Sequence, residues 1–280
     1  MLELKNRLTA KVGGAAAEVH APRSQDELVG VVDSLRQRGR TFRVLGGGSN
    51  VIAADGALAE PIVCMKGVAT WERRSATVWR VDAGVALGEI VHRSARGGLT
   101  GLECCAGVPG TIGAAVRINA GGKWGTIADV LREVTLLTRD GERVRRETTP
   151  SDFSYRRSAF WDALVLEAVF ELKPDERAAP SSRIRQVLDH KKSTQPLRLP
   201  SAGCIFRNPS RERPAGRLID EAGLKGARIG GALVSELHAN YIVNAGGATG
   251  TDFLALIDHV RQRVLDHCGV ELELEVEVWS

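Results

Sequence analysis

No stretch of this 280-residue chain is apolar enough to cross a bilayer, and its first residues, Met1 to Arg7 (MLELKNR), carry no apolar core of the signal-peptide kind. A cytoplasmic protein with no membrane insertion is therefore expected. Aromatic residues are scarce, at 5%, and the arginines are scattered without aromatic neighbours, so a nucleic-acid surface is not expected either. The formal net charge of +4 suits an anionic small molecule equally well. Five cysteines make an odd set with no CxxC pair and no histidine at zinc-ligand spacing, which disfavours a disulfide framework and a metal site. Also missing are a GxGxxG fingerprint, internal repeats and low-complexity tracts, so a Rossmann dinucleotide fold is disfavoured.

What the chain does have is glycine in two telling places: residues 45–50 (LGGGSN) and 107–113 (GVPGTIG), each between an apolar strand-like run and a second apolar segment. Bare backbone at such turns approaches a ligand closely and aims N–H groups at an anion, so two of them suggest the two ends of one large phosphate-containing cofactor. Ordinary connecting turns are the plain alternative for either one. Around them, a strand is expected near residues 17–20, then a helix capped by Ser24 with Glu27 completing a capping box, then a strand over 41–45. Short strand-like runs follow at 62–65, 77–83, 130–138 and 164–172, interrupted by a helix at about 87–96. A polar stretch over 173–182 reads as a domain boundary. Beyond it come helices around 183–192 and 215–222, a third with Thr251 as its cap and Gly269 as its stop, and a last strand over 270–279.

Three places could carry chemistry. Cys204 follows Gly203 at a turn near Asn208; an ordinary thiol, titrating at about 8.5, is mostly protonated near neutrality and can donate a proton or act as a nucleophile. A spectator cysteine is the alternative, as it is for Cys64, Cys104, Cys105 and Cys268, which read as small core residues. The run 154–158 (SYRRS) offers an aromatic ring and two guanidinium groups, one of which could fork onto a carboxylate or phosphate. In the last strand Glu271, Glu273, Glu275 and Glu277 alternate with apolar residues, a solvated edge face unless one of them turns into a cleft. His238 and Asn240 are open between substrate contacts and structural hydrogen-bonding residues.

In order along nearly the whole chain, the segments 45–50 (LGGGSN), 101–103 (GLE), 106–114 (AGVPGTIGA), 118–121 (INAG), 155–158 (YRRS), 194–196 (TQP), 200–203 (PSAG), 206–209 (FRNP), 221–226 (EAGLKG), 229–232 (IGGA) and 238–240 (HAN) resemble the UDP-N-acetylenolpyruvoylglucosamine reductase family of flavoenzymes. The resemblance implies an α+β fold: a two-lobed FAD-binding domain of the vanillyl-alcohol-oxidase type over residues 1–174, with lobes of about 1–68 and 69–174, then a smaller α+β substrate domain over 175–280 whose last strand could return to the first lobe. It implies FAD as cofactor, NADPH as hydride-donating cosubstrate, and reduction of the enolpyruvyl ether of UDP-N-acetylglucosamine to UDP-N-acetylmuramate in peptidoglycan precursor synthesis. Gly46, Gly47, Gly48, Ser49 and Asn50 are then expected on the FAD pyrophosphate, and Gly107, Pro109, Gly110, Thr111 and Gly113 along the flavin. Arg156 would stabilise the enolate-like charge, Glu275 would polarise or protonate the substrate carboxylate, and Cys204 would stand where the family has its proton-donating serine. Tyr155, Asn208 and His238 are assigned to substrate binding, and a monomer is favoured.

The serine-to-cysteine change keeps an acidic donor, so retained activity with a shifted pH profile is expected; an inactive, diverged member is the alternative. Lys11 stands for an expected arginine, and residues 122–124 (GKW) depart from the usual sequence after 119–121 (NAG). The chain looks like the shorter subtype that lacks a tyrosine-bearing loop. Two rivals stand beside the reductase: another flavin oxidoreductase on the same fold, and a flavin- or nucleotide-sugar-binding protein without turnover.

Overall fold

A computed structural model describes residues 1–175 and 179–280; residues 176–178, inside the polar stretch expected to be a boundary, lie outside the described residues. The chain forms two compact units from discontinuous segments: a central unit of Val19–Gly47 and Pro61–His190, and a terminal unit of Met1–Glu18, Gly48–Glu60 and Lys191–Ser280. Among the described residues no helix is long and apolar enough to cross a membrane.

The central unit holds a parallel three-stranded sheet in the order Val19–His20, Ile62–Cys64, Arg43–Leu45, and an antiparallel five-stranded sheet in the order Arg143–Glu147, Leu131–Leu137, Leu164–Glu171, Val78–Asp82, Trp71–Arg73. Helix Gln25–Gln37 starts at Ser24, whose hydroxyl accepts from the Glu27 amide at 3.1 Å. The Glu27 carboxylate reaches one residue further back than a capping box requires, accepting from the Arg23 amide at 2.7 Å. Leu28, Val32 and Leu35 on one face of this helix join a core with Trp79, Val81, Ile90, Val91, Val134, Leu166 and Phe170, all essentially inaccessible to water. Helix Leu87–Arg96 follows its expected bounds, and the short helix Ile112–Arg117 packs on Leu164–Glu171.

A charged cluster lies inside this apolar frame. Gln25 donates to Asp82 at 2.7 Å and to Glu167 at 3.0 Å; the Arg80 guanidinium meets Asp82 at 2.8 Å and Glu167 at 2.6 Å; and Thr135 donates to Glu167 at 3.0 Å. Burial works against the Glu167 carboxylate, but the hydrogen bonds from Gln25, Arg80 and Thr135 outweigh it and hold its pKa below the ordinary value.

The terminal unit has a four-stranded antiparallel sheet in the order Ser201–Cys204, Tyr241–Asn244, Ala232–Val234, Arg228–Ile229. It also holds a three-stranded sheet of Leu2–Glu3, Ala15–Ala16 and Ala57–Leu58, and a parallel pair joining Glu277–Trp279 to Val51–Ala53. Phe253, Leu256, Ile257, Val260 and Val264 recur at helical spacing along Gly250–Cys268 and are buried with Ile52, Phe206, Leu218 and Ile242.

Besides the missing capping box at Ser24, the structure corrects the sequence reading in three places. Thr249, not Thr251, caps the last helix and forms a capping box with Asp252. Thr251 is engaged otherwise, its hydroxyl donating to Asp55 at 2.8 Å. The strand Arg143–Glu147 was not anticipated, because all five residues are exposed and leave no apolar period to read. The expected strand over 270–279 shrinks to Glu277–Trp279: a bend at Glu275–Val276 breaks the alternation, so Glu271 and Glu273 are exposed while Glu275 is half-buried.

The Asp55 carboxylate accepts from the amides of Gly250 and Thr251, each at 2.9 Å, at the positive end of the last helix. Burial works against it, but these hydrogen bonds prevail and lower its pKa. Replacing Thr249 with Ala removes one acceptor from the same helix start and is expected to cost about 1 kcal/mol in urea unfolding at unchanged m-value.

Candidate active site

The glycine turns meet. In the central unit a Cβ placed on Gly47 would stand 2.5 Å from Gly110 Cα, and one on Gly46 would stand 2.7 Å from Thr111 Oγ1. The turns expected at the two ends of a cofactor are thus in contact and build one wall. Only glycine at position 47 lets two backbones come this close. None of the backbone hydrogen bonds among the described residues is donated by Gly46, Gly47 or Gly48, leaving their N–H groups for an outside acceptor. Thr111 is buried, whereas Gly107 and Pro109 are exposed beside it. The Gly113 amide donates to the Ala83 carbonyl at 2.8 Å, and a Cβ on Gly113 would stand 2.8 Å from the Ala83 Cβ.

A flavin dinucleotide fits this chemistry. Its pyrophosphate accepts hydrogen bonds, which the amides of the first turn can donate. Its ring system and ribityl chain carry N–H and O–H donors, and the buried Asn119 Oδ1 has no partner among the described residues.

Tyr155 and Arg156 form the two-residue turn of a hairpin in which Phe153 pairs with Ser158 and Ser154 with Arg157. Arg156 takes φ +56°, a left-handed conformation that costs a non-glycine residue about 1–2 kcal/mol. Its Nη1 donates to the Gly121 carbonyl at 3.0 Å, and its guanidinium lies 5.4 Å from the centre of the half-exposed Tyr155 ring.

In the terminal unit the backbone just after Cys204 meets the backbone of Glu275. The register between Ser201–Cys204 and Tyr241–Asn244 slips between Ser201 and Cys204, and Gly203 takes φ +83° at that irregularity. Such a bulge re-aims the residue beside it, here Cys204. One residue on, the Ile205 carbonyl accepts from the Glu275 amide at 2.8 Å, and Phe206 bridges Leu274. Asn50 fixes the other side of Glu275, donating from Nδ2 to its carbonyl at 3.1 Å and accepting from the Glu277 amide at 2.8 Å. Thr9 anchors the preceding Gly48 by donating its amide to the Gly48 carbonyl at 2.9 Å.

Asn240, left open by the sequence, has a structural task. Its Oδ1 accepts from the Phe206 amide at 2.9 Å, its Nδ2 donates to the Phe206 carbonyl at 2.8 Å, and its own carbonyl accepts from Ile205. It thereby clamps the backbone that carries Cys204. Asn208 accepts from the Ala215 amide at 3.0 Å, at the start of helix Ala215–Glu221. His238 packs edge-on against Tyr241, 4.9 Å between ring centres, and its Nδ1 accepts from the Asn240 amide at 3.3 Å. The role of Asn240 was hidden because its partner lies 34 residues away. Of the remaining cysteines, Cys104 and Cys105 are buried, while Cys64 and Cys268 are half-buried.

Two predictions follow from this geometry. Gly47→Ala forces a Cβ into the Gly110 backbone, and the purified variant is expected to lose flavin colour and about 1–3 kcal/mol of stability. Burial lowers the His238 pKa below 6.5, so the unfolded chain binds the extra proton first. The stability tied to a neutral His238 is present above the unfolded value and drains away as pH falls through the folded one. A ring-proton NMR titration with its midpoint below 6.5 is expected.

Two family models match the chain: an FAD binding domain over residues 16–146, and the C-terminal domain of UDP-N-acetylenolpyruvoylglucosamine reductase over residues 195–279. The UDP-N-acetylenolpyruvoylglucosamine reductase of Heliobacterium modesticaldum is 38% identical over 277 residues, covering 98% of this chain and 88% of its own length. That of Moorella thermoacetica is 39% identical over 280 residues, covering 99% and 91%. Among solved structures, the UDP-N-acetylenolpyruvylglucosamine reductase of Thermus caldophilus superposes with a TM-score of 0.83 at 36% identity, covering 100% of this chain and 98% of its own. The α+β chain with its glycine wall and its backbone bond between Ile205 and Glu275 belongs to the UDP-N-acetylenolpyruvoylglucosamine reductase family.

Proposed function

We propose that this chain is an active reductase of its family in which Cys204 is the proton donor and Arg156 and Glu275 are its electrostatic partners. The activity is the FAD-dependent, NADPH-consuming reduction of the enolpyruvyl ether of UDP-N-acetylglucosamine, which yields UDP-N-acetylmuramate for peptidoglycan precursors. In sequence order we assign FAD binding to residues 1–174 and substrate binding to 175–280. The finer reading is a monomeric cytoplasmic enzyme whose partners are small molecules, namely the UDP-sugar and NADPH.

The chemistry that bound FAD supplies is hydride transfer, drawn from NADPH and passed to the methylene carbon of the enolpyruvyl group. Gly46, Gly47, Gly48, Ser49 and Asn50 would hold the pyrophosphate, with Gly107, Pro109, Gly110, Thr111 and Gly113 toward the flavin. Negative charge then develops on the adjacent carbon and its carboxylate. Arg156 stabilises that charge as a fixed cation, which is worth most where water is excluded. Glu275 polarises or protonates the substrate carboxylate, and Cys204 gives its Sγ proton to the α-carbon, recovering one from solvent afterwards. Tyr155, Asn208 and His238 contact the substrate in this reading.

One observation carries it: a bulge aims Cys204 and, one residue later, the same strand binds the backbone of Glu275 through Ile205. In stopped flow, Cys204→Ala is expected to leave flavin reduction by NADPH within about twofold while slowing reoxidation by the enolpyruvyl substrate by about 10²–10⁴, the usual worth of a general acid. Cys204→Ser restores a donor and is expected to recover most of that loss. Equal damage to both half-reactions would remove Cys204 from the role.

A further inference from the structure

The hairpin that carries Arg156 has two residues per strand, too few to be stable alone. Its position is therefore set by what ties it down. Three side-chain-to-backbone hydrogen bonds join it to the segment 117–121: Asn119 Nδ2 to the Ser154 carbonyl at 3.2 Å, Arg156 Nη1 to the Gly121 carbonyl at 3.0 Å, and Ser158 Oγ to the Arg117 carbonyl at 3.0 Å. Arg117 returns a fourth, donating from Nε to the Trp161 carbonyl at 3.1 Å with its guanidinium 4.0 Å from the Trp161 ring centre.

The segment is a firm base. Ala120 donates to the Ala115 carbonyl and accepts from the Ile127 amide, each at 2.8 Å, and Cys105 Sγ meets the Ala120 carbonyl at 3.6 Å. Of the groups that make these ties, Asn119 is the one that is buried, belongs to the base, and reaches the residue just before the Tyr155–Arg156 turn. It also shares the turn's peculiarity: Asn119 at φ +46° and Arg156 at φ +56° are two of the three non-glycine residues with positive φ among the described residues. The two left-handed residues bind reciprocally across the pair of segments, each giving a side-chain donor to a carbonyl beside the other.

We infer that Asn119 is the positioning residue for Arg156, holding the hairpin tip so that the guanidinium stands where charge develops on the substrate. The inference rests on the role given to Arg156 above. Asn119 itself need not touch the substrate; it acts through the Ser154 carbonyl.

The decisive variant is Asn119→Gly, which keeps the left-handed backbone and deletes the donor. In protein free of flavin, amides of residues 153–158 are expected to exchange with deuterium about tenfold faster, while those of Leu164–Glu171 stay unchanged and show an intact fold. With FAD saturating, kcat for reoxidation is expected to fall about 10- to 100-fold, as for a reacting group displaced by about 1 Å, and to fall further than reduction by NADPH does. Adding Asn119→Gly to Arg156→Ala is expected to cost nothing further. Unchanged hairpin exchange, wild-type reoxidation, or full additivity in the double variant would each overturn the positioning role. If Arg156→Ala alone reoxidises normally, the reading of Arg156 fails first; if it is slow while Asn119→Gly is normal, only the present inference fails.

Discussion

Everything in the cofactor wall depends on one contact, the backbone of Gly47 against the backbone of Gly110. Side chains cannot substitute for it, because any Cβ at position 47 occupies the space of the facing main chain. It brings the end of the Arg43–Leu45 strand beside the start of helix Ile112–Arg117, next to a turn in which Gly46, Gly47 and Gly48 donate no backbone hydrogen bond among the described residues. Unpaired amides are costly where they are shielded from water, so a turn of this kind is completed by an anion rather than by its own chain.

A second constraint comes from the chain's end. Glu277–Trp279 pairs in parallel with Val51–Ala53, and Asn50, the residue before that strand, donates from its side chain to the Glu275 carbonyl and accepts from the Glu277 amide. Glu275 is set by main-chain bonds to Asn50 and Ile205. The structural carboxylates of the central unit are set differently: Glu167 and Asp82 are held by Arg80, and Glu103 by Arg183 at 2.8 Å. Those pairings satisfy the buried charges where they stand.

Local features were legible in the sequence. Leu87, Ile90 and Val91 at helical spacing announce helix Leu87–Arg96, and the Ser24 cap and the Gly269 stop are read correctly from their residue types. Features set by distant partners were not. Thr249 and Thr251 are equivalent cap candidates until Asp55, some 195 residues away, takes the Thr251 hydroxyl. The bend at Glu275 is invisible in a clean alternation of glutamate and apolar residues, because a tertiary bond to Ile205 makes it. The segment 118–121 (INAG) could be seen to matter, yet the reach of Asn119 to Ser154 spans 35 residues and leaves no periodic trace. Nor does sequence show that Arg156 adopts a glycine-like backbone conformation; only the folded hairpin does.

That conformation is informative about where the molecule places its strain. A two-residue turn with positive φ at its second position is ordinary when that residue is glycine or asparagine. Putting arginine there costs stability and gains nothing for the hairpin itself, which glycine would serve better. The cost is offset by bonds made elsewhere, from Arg156 to Gly121 and from Asn119 to Ser154, so the surrounding structure over-determines a state the local sequence resists. Strain maintained in this way fixes a long, flexible side chain at a defined height above a rigid base. A guanidinium so constrained loses little freedom when an anion arrives, so in the role proposed for Arg156 its binding energy would go to the charge that develops during reaction rather than to ordering the side chain.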